Sequence, residues 1–158
     1  MSVLTLDQAN RIIAAIIERA AEIKCRPISV LVVEPGCKVK AFQKEDGSSM
    51  IRFEMAYGKA YAALAMGRSS KLVKVRAEEK PIFMRYLLSA TGDQIFPEGG
   101  GVQIRDADGE VIGAVGVTGD TEDRDEELAV YGVRAIGLKT DEDCTDLGRR
   151  GGIRLTNT

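Results

Sequence analysis

Apolar residues return at every third or fourth position near the start of the chain: Ala9, Ile12, Ile13, Ile16, Ile17 and Ala20. That spacing gathers them on one side of a helix. Thr5 followed three residues later by Gln8 is a capping box, so the helix should open there and end near Lys24, before Pro27. The pattern then changes. Ile28 to Val33 is a nearly unbroken apolar run rich in β-branched residues, which predicts a buried strand. Pro35 and Gly36 supply turn chemistry, and Lys38 to Lys44 alternates as the returning strand of a hairpin.

A second helical stretch follows, capped by Ser48 or Ser49 and stopped at Gly67. Its small residues, Ala56, Gly58, Ala60, Ala62, Ala63 and Ala65, predict close packing against another element. The segment 69–91 reads as two short helices broken near Pro81. "GVQIR", "DADG" and "EVIGAVGVTG" form a second hairpin around an Asp-Gly turn. A last helix begins at Asp120 or Thr121 with an acidic first turn, which suits the positive end of the helix dipole. Two hairpins separated by helices predict an α+β domain with an antiparallel sheet. The domain should occupy 1–138. Residues 139–158, polar and without clear periodicity, form a tail expected to lie against the domain or a neighbouring subunit.

Composition narrows the chemistry. There is no histidine, which removes Ser-His-Asp and Cys-His catalysis, the HExxH metal helix and histidine-ligated haem. Cys25, Cys37 and Cys144 are odd in number and widely spaced, so they read as reduced thiols of a cytoplasmic protein and not as a disulfide framework or zinc site. No metal site is expected. The net charge of −2 is spread along the chain without a basic stripe, so no nucleic-acid partner is expected. No run of apolar residues is long enough to span a membrane, and the N-terminus lacks the pattern of a secretory signal.

Glycine concentrates between Gly99 and Gly119. Gly113 and Gly116 inside a strand predict close approach of another backbone. Gly99, Gly100 and Gly101, after Pro97 and Glu98, form a loop whose amides can cradle an anion. Arg52 and Lys59 stand two helical turns apart on one face, with Met55 between them, and suit a carboxylate or phosphate. The loop and these cations are expected to share one pocket. Glu98, beside the loop, is the candidate acid-base group.

The chain resembles the GlcG/HbpS-like family, which includes the C-terminal domain of PduO-type proteins. The likeness rests on "ISVLVVEPGCKVKAF", Asp46-Gly47, the "GKA" of Gly58 to Ala60, the "GGV" of Gly100 to Val102, the block Gly109 to Gly119 and the "DEE" of Asp125 to Glu127. Glu34 and Cys37 stand where the family usually has an acidic residue and a glycine. The resemblance implies a profilin-like fold with a five-stranded antiparallel sheet, and dimers that assemble into larger homo-oligomers, often octamers. It also brings in haem, which the missing histidine disfavours; Tyr, Met, Cys or a threonine oxygen would have to meet the iron. Two functions stay open beside a purely structural role. One is an oligomeric protein holding an anionic metabolite or tetrapyrrole at an inter-subunit pocket, with no cofactor required. The other is a cofactor-independent lyase, isomerase, hydratase or hydrolase: Arg52 and Lys59 would hold a small carboxylated metabolite, the Gly99–Gly101 amides would stabilise an oxyanion, and Glu98 would move the proton.

Overall fold

The computed structural model describes residues 3–144. The first helix, α1 (Leu6–Glu22), opens on the expected capping box: Gln8 N–H donates to Thr5 Oγ1 and Thr5 N–H donates to Gln8 Oε1, each at 3.0 Å. Its buried face is Ala9, Ile12, Ile13, Ile16 and Ala20, with Ile17 half-buried beside them. The first hairpin is β1 (Ser29–Glu34) and β2 (Lys38–Lys44). The helices α2 (Arg52–Met66), α3 (Ser70–Glu79) and α4 (Pro81–Ala90) follow, with Pro81 in the first turn of α4, where its missing N–H is harmless. The second hairpin is β3 (Gly101–Arg105) and β4 (Val111–Thr118), and α5 (Glu122–Ala135) closes the domain.

The start of α2 differs from expectation. No side chain caps it, and the helix begins at Arg52. Ser48 Oγ donates instead to the Ile28 carbonyl, and Ser49 contributes only its carbonyl, to Arg52 N–H.

The strands form one antiparallel sheet in the order β2-β1-β4-β3. Strand alternation divides it into two faces. Val30, Val32, Val115 and Val117 face α1 and α5, whereas Leu31, Val33 and Ala114 face α2. A third apolar cluster, Ala62, Val73, Met84 and Ile95, joins α3 and α4 to the far side of α2.

The sheet has four strands among the described residues, where the resemblance implies five. Beyond α5, among the described residues, the chain bridges to the free edge of β3 once. Arg105 and Lys139 exchange both backbone hydrogen bonds, at 2.8 and 2.9 Å. Thr140 then bonds Asp143 through both its N–H and its hydroxyl, which turns the chain into a 3₁₀ turn at Asp141–Cys144. Arg105 holds this turn down through Asp141 at 2.8 Å. The rest of the expected tail, 145–158, lies outside the described residues. No described helix is long and apolar enough to cross a membrane.

Most of the glycine-rich stretch serves packing. A Cβ at Gly116 would overlap the carbonyl of Ala56, and one at Gly101 would overlap the carbonyl of Lys59. Bare backbone here lets α2 lie directly on β4 and β3, which lowers the side chain of Lys59 into the protein.

Candidate functional site

Lys59 and the glycine loop do meet. A side chain built on Gly100, whose φ is +129°, would contact Lys59 Cδ and Nζ. Each partner, however, is already engaged from within the protein. Lys59 is only 1% exposed; its Nζ donates to Asp125 Oδ2 at 3.1 Å and to the Val117 carbonyl at 3.0 Å, and it lies 5.9 Å from the centre of the Phe96 ring. The loop amides do bind carboxylates, but those of α5. Gly99 N–H donates to Glu122 at 3.1 Å, and Gly100 N–H to Glu126 at 3.0 Å. Gly101 N–H donates to Ser70 Oγ at 2.7 Å, and the Ser70 hydroxyl donates to the Glu98 carbonyl at 2.6 Å. Glu98 is half-buried and is tied here through its backbone.

The sequence reading missed these partners. Glu122, Asp125 and Glu126 lie at i, i+3 and i+4, so one face at the start of α5 presents two carboxylates to the loop and a third, Asp125, to Lys59. In the sequence their acidity read as a match to the helix dipole and, for Asp125 and Glu126, as part of the "DEE" motif. Burial pushes the Asp125 carboxyl up despite the opposing pull of Lys59. Burial also pushes Glu126 up, against hydrogen bonds from the Gly100 amide and Ser69. Glu122 moves down, chiefly through its hydrogen bond from Lys74.

Arg52 is differently placed. It is half-buried, its Nη1 donates to Thr118 Oγ1 at 2.7 Å and lies 3.6 Å from Met55 Sδ. No carboxylate meets it among the described residues. The structure thus brings Arg52 and Met55 together at the end of β4, one strand residue beyond the carbonyl that holds Lys59.

The other side of α2 holds a cleft of 590 Å³ between the β1–β2 turn, α2 and the loop before β3. That volume falls in the range of small-molecule sites. Phe53 and Tyr57, one turn apart, are nearly parallel, with ring centres 6.3 Å apart and planes at 6°. Phe42 braces Phe53 edge-on at 4.9 Å, and the Tyr57 hydroxyl donates to the Cys37 carbonyl at 3.0 Å. Phe96 approaches from the opposite side because Gly58 has no side chain. Lys38, Glu54 and Asp93 stand among the polar lining groups. Phe53 and Tyr57 sit four residues apart in the sequence, a signal that reads equally well as core.

Haem has no histidine to meet in this chain. The cleft offers Cys37 and Tyr57, both residue types able to hold haem iron when deprotonated. Burial pushes the Cys37 thiol and the Tyr57 phenol up, toward their protonated forms. No group of three or more Cys, Asp or Glu among the described residues is arranged to hold a metal ion.

Residues 4–134 match a family model described as haem degrading protein HbpS-like. An uncharacterized 15.0 kDa protein from the dhaT-dhaS intergenic region of Citrobacter freundii is 30% identical over 130 residues, covering 82% of this chain and 89% of that protein. Klebsiella pneumoniae protein ORFY superposes with a TM-score of 0.76 at 23% identity, covering 88% of this chain and 94% of the other. A structure of a PduOC:heme complex gives 0.73 at 22% identity, covering 88% and 99%. At those identities the two structures show a shared fold.

Proposed function

The chain belongs to the HbpS-like family, and from that premise we propose that it is a homo-oligomeric protein that binds a small flat molecule, an anionic metabolite or a tetrapyrrole, in the aromatic cleft beside α2. The observation that carries this reading is the parallel pair Phe53 and Tyr57 walling a 590 Å³ cleft. The haem complex of the similarly folded PduOC supports the tetrapyrrole class. Lys38 is the lining cation that meets a carboxylate, and Glu54 and Asp93 keep the remaining polar lining acidic. This favours a ligand whose negative charge is confined to one edge. Val39, an exposed apolar residue in the lining, supports an inter-subunit position, since a second copy over it would close the cleft.

The chain's own residues would hold the ring by stacking, with no strong bond to a central metal. Titration with hemin and with metal-free protoporphyrin tests this. Both should bind with similar affinity, and Tyr57→Ala should weaken both by about tenfold. A much tighter hemin complex with a sharp low-spin spectrum would overturn the absence of iron ligation. Failure of both porphyrins to bind would overturn the tetrapyrrole reading.

A further inference from the structure

Ser29 is fully buried, and its hydroxyl has no hydrogen-bond partner among the described residues. Buried polar atoms are rarely left so. Ser29 opens β1, and Leu31 and Val33, two and four residues on, pack on the α2 face. Strand alternation therefore aims Ser29 at the same face, toward the beginning of α2. Directly opposite it on β4 is Thr118, also fully buried, whose Oγ1 accepts from Arg52. Opposite it on β2 is Lys44, exposed at the edge.

Arg52 is the first residue of α2, and no side chain caps that helix. The positive end of its dipole lies here, although the Arg52 amide is already taken by the Ser49 carbonyl at 3.2 Å. Two hydroxyls, a guanidinium without a carboxylate partner and an uncapped helix start thus converge, with Lys44 near by. Two acidic side chains lie in this region. Glu45 is engaged by Ile28 N–H at 3.0 Å, and Glu54 is exposed on the first turn of α2.

We propose that this is a subsite for a single oxyanion, a carboxylate or phosphate group. Arg52 moves from Thr118 onto the anion, and the Ser29 and Thr118 hydroxyls donate to it. Arg52 suits the role because its planar fork can give two parallel hydrogen bonds to a carboxylate or phosphate. A lone buried water would satisfy Ser29, but it would not account for the unpaired guanidinium beside it. The subsite does not depend on the aromatic cleft.

The test is an NMR titration of the full chain with sodium phosphate and with sodium acetate, against sodium chloride at matched ionic strength. Saturable shifts centred on residues 52–54 and 118 are expected with at least one oxyanion and not with chloride. The tighter of the two identifies the group. Arg52→Gln and Ser29→Ala should each weaken binding by about tenfold. Ser29→Ala removes an unpartnered hydroxyl and should fold as well as the parent, which denaturation by urea would verify. No saturable shift with either anion would overturn the proposal. So would a Ser29→Ala protein that is more stable and binds as tightly as before, because Ser29 would then be only a buried orphan.

Discussion

A cation as far from water as Lys59 costs several kcal/mol unless a partner offsets it. Asp125 and the Val117 carbonyl supply that offset, and Asp125 is itself fixed by the Asp120 amide at 3.0 Å. Asp120 in turn accepts from Arg26 N–H, which is the main reason its carboxyl sits below the usual range. Lys59 thus joins α2 to the start of α5 beneath the glycine loop. Lys59→Met should strand Asp125 as an unpaired buried charge and cost about 3–5 kcal/mol of stability. The double change Lys59→Met with Asp125→Leu should recover most of it. Urea unfolding at pH 7 measures both. A lysine kept only for an external ligand would behave otherwise: Lys59→Met would leave the unfolding midpoint where it was.

Among the elements, the latch between α5 and the glycine loop responds to pH. Burial raises Glu126 above its ordinary 4.5, so its ionised form disfavours the folded state at pH values above both the unfolded and folded values. That cost fades as pH falls and is gone below about 4.5. Glu126→Gln keeps an acceptor for the Gly100 amide and cannot ionise. It should therefore be more stable than the parent at pH 8 and equal to it at pH 3.5, in unfolding experiments at one protein concentration. A Gln variant that loses stability relative to the parent as pH rises would contradict this account. The elements themselves were largely legible. α1, β1, β2 and both hairpin turns follow from periodicity and turn residues, because those signals are local. The start of α2 was not: Ser48 and Ser49 look like caps, but Ser48 turns back to β1. The fifth strand was carried by resemblance, and among the described residues the chain after α5 forms the turn at Asp141–Cys144. In the site, helical spacing correctly put Arg52, Met55 and Lys59 on one face. It could not show that Lys59 has a partner 66 residues away, nor that the loop amides already hold Glu122 and Glu126.

For the whole molecule, the exposed apolar residues bear on assembly. On α4, Ile82 and Tyr86 are 77% and 70% exposed and lie one turn apart, with Phe83 between them in sequence. A second group precedes α2, where Met50 is 91% exposed and Ile51 stands beside it. Single exposed apolar residues are ordinary, but paired ones on one helix face mark contact surfaces. Two patches on one subunit suit an assembly with two kinds of self-complementary interface, as in a dihedral oligomer larger than a dimer. The protein should therefore elute as a multiple of 17.1 kDa in light scattering at micromolar concentration. Ile82→Glu with Tyr86→Glu should break one interface and leave a smaller oligomer. Adding Met50→Glu should release the 17.1 kDa chain. A parent protein that scatters as a single chain would refute self-association. A parent oligomer left intact by all three charges would show that its subunits meet through other surfaces, and the cleft at Val39 would have to close without them.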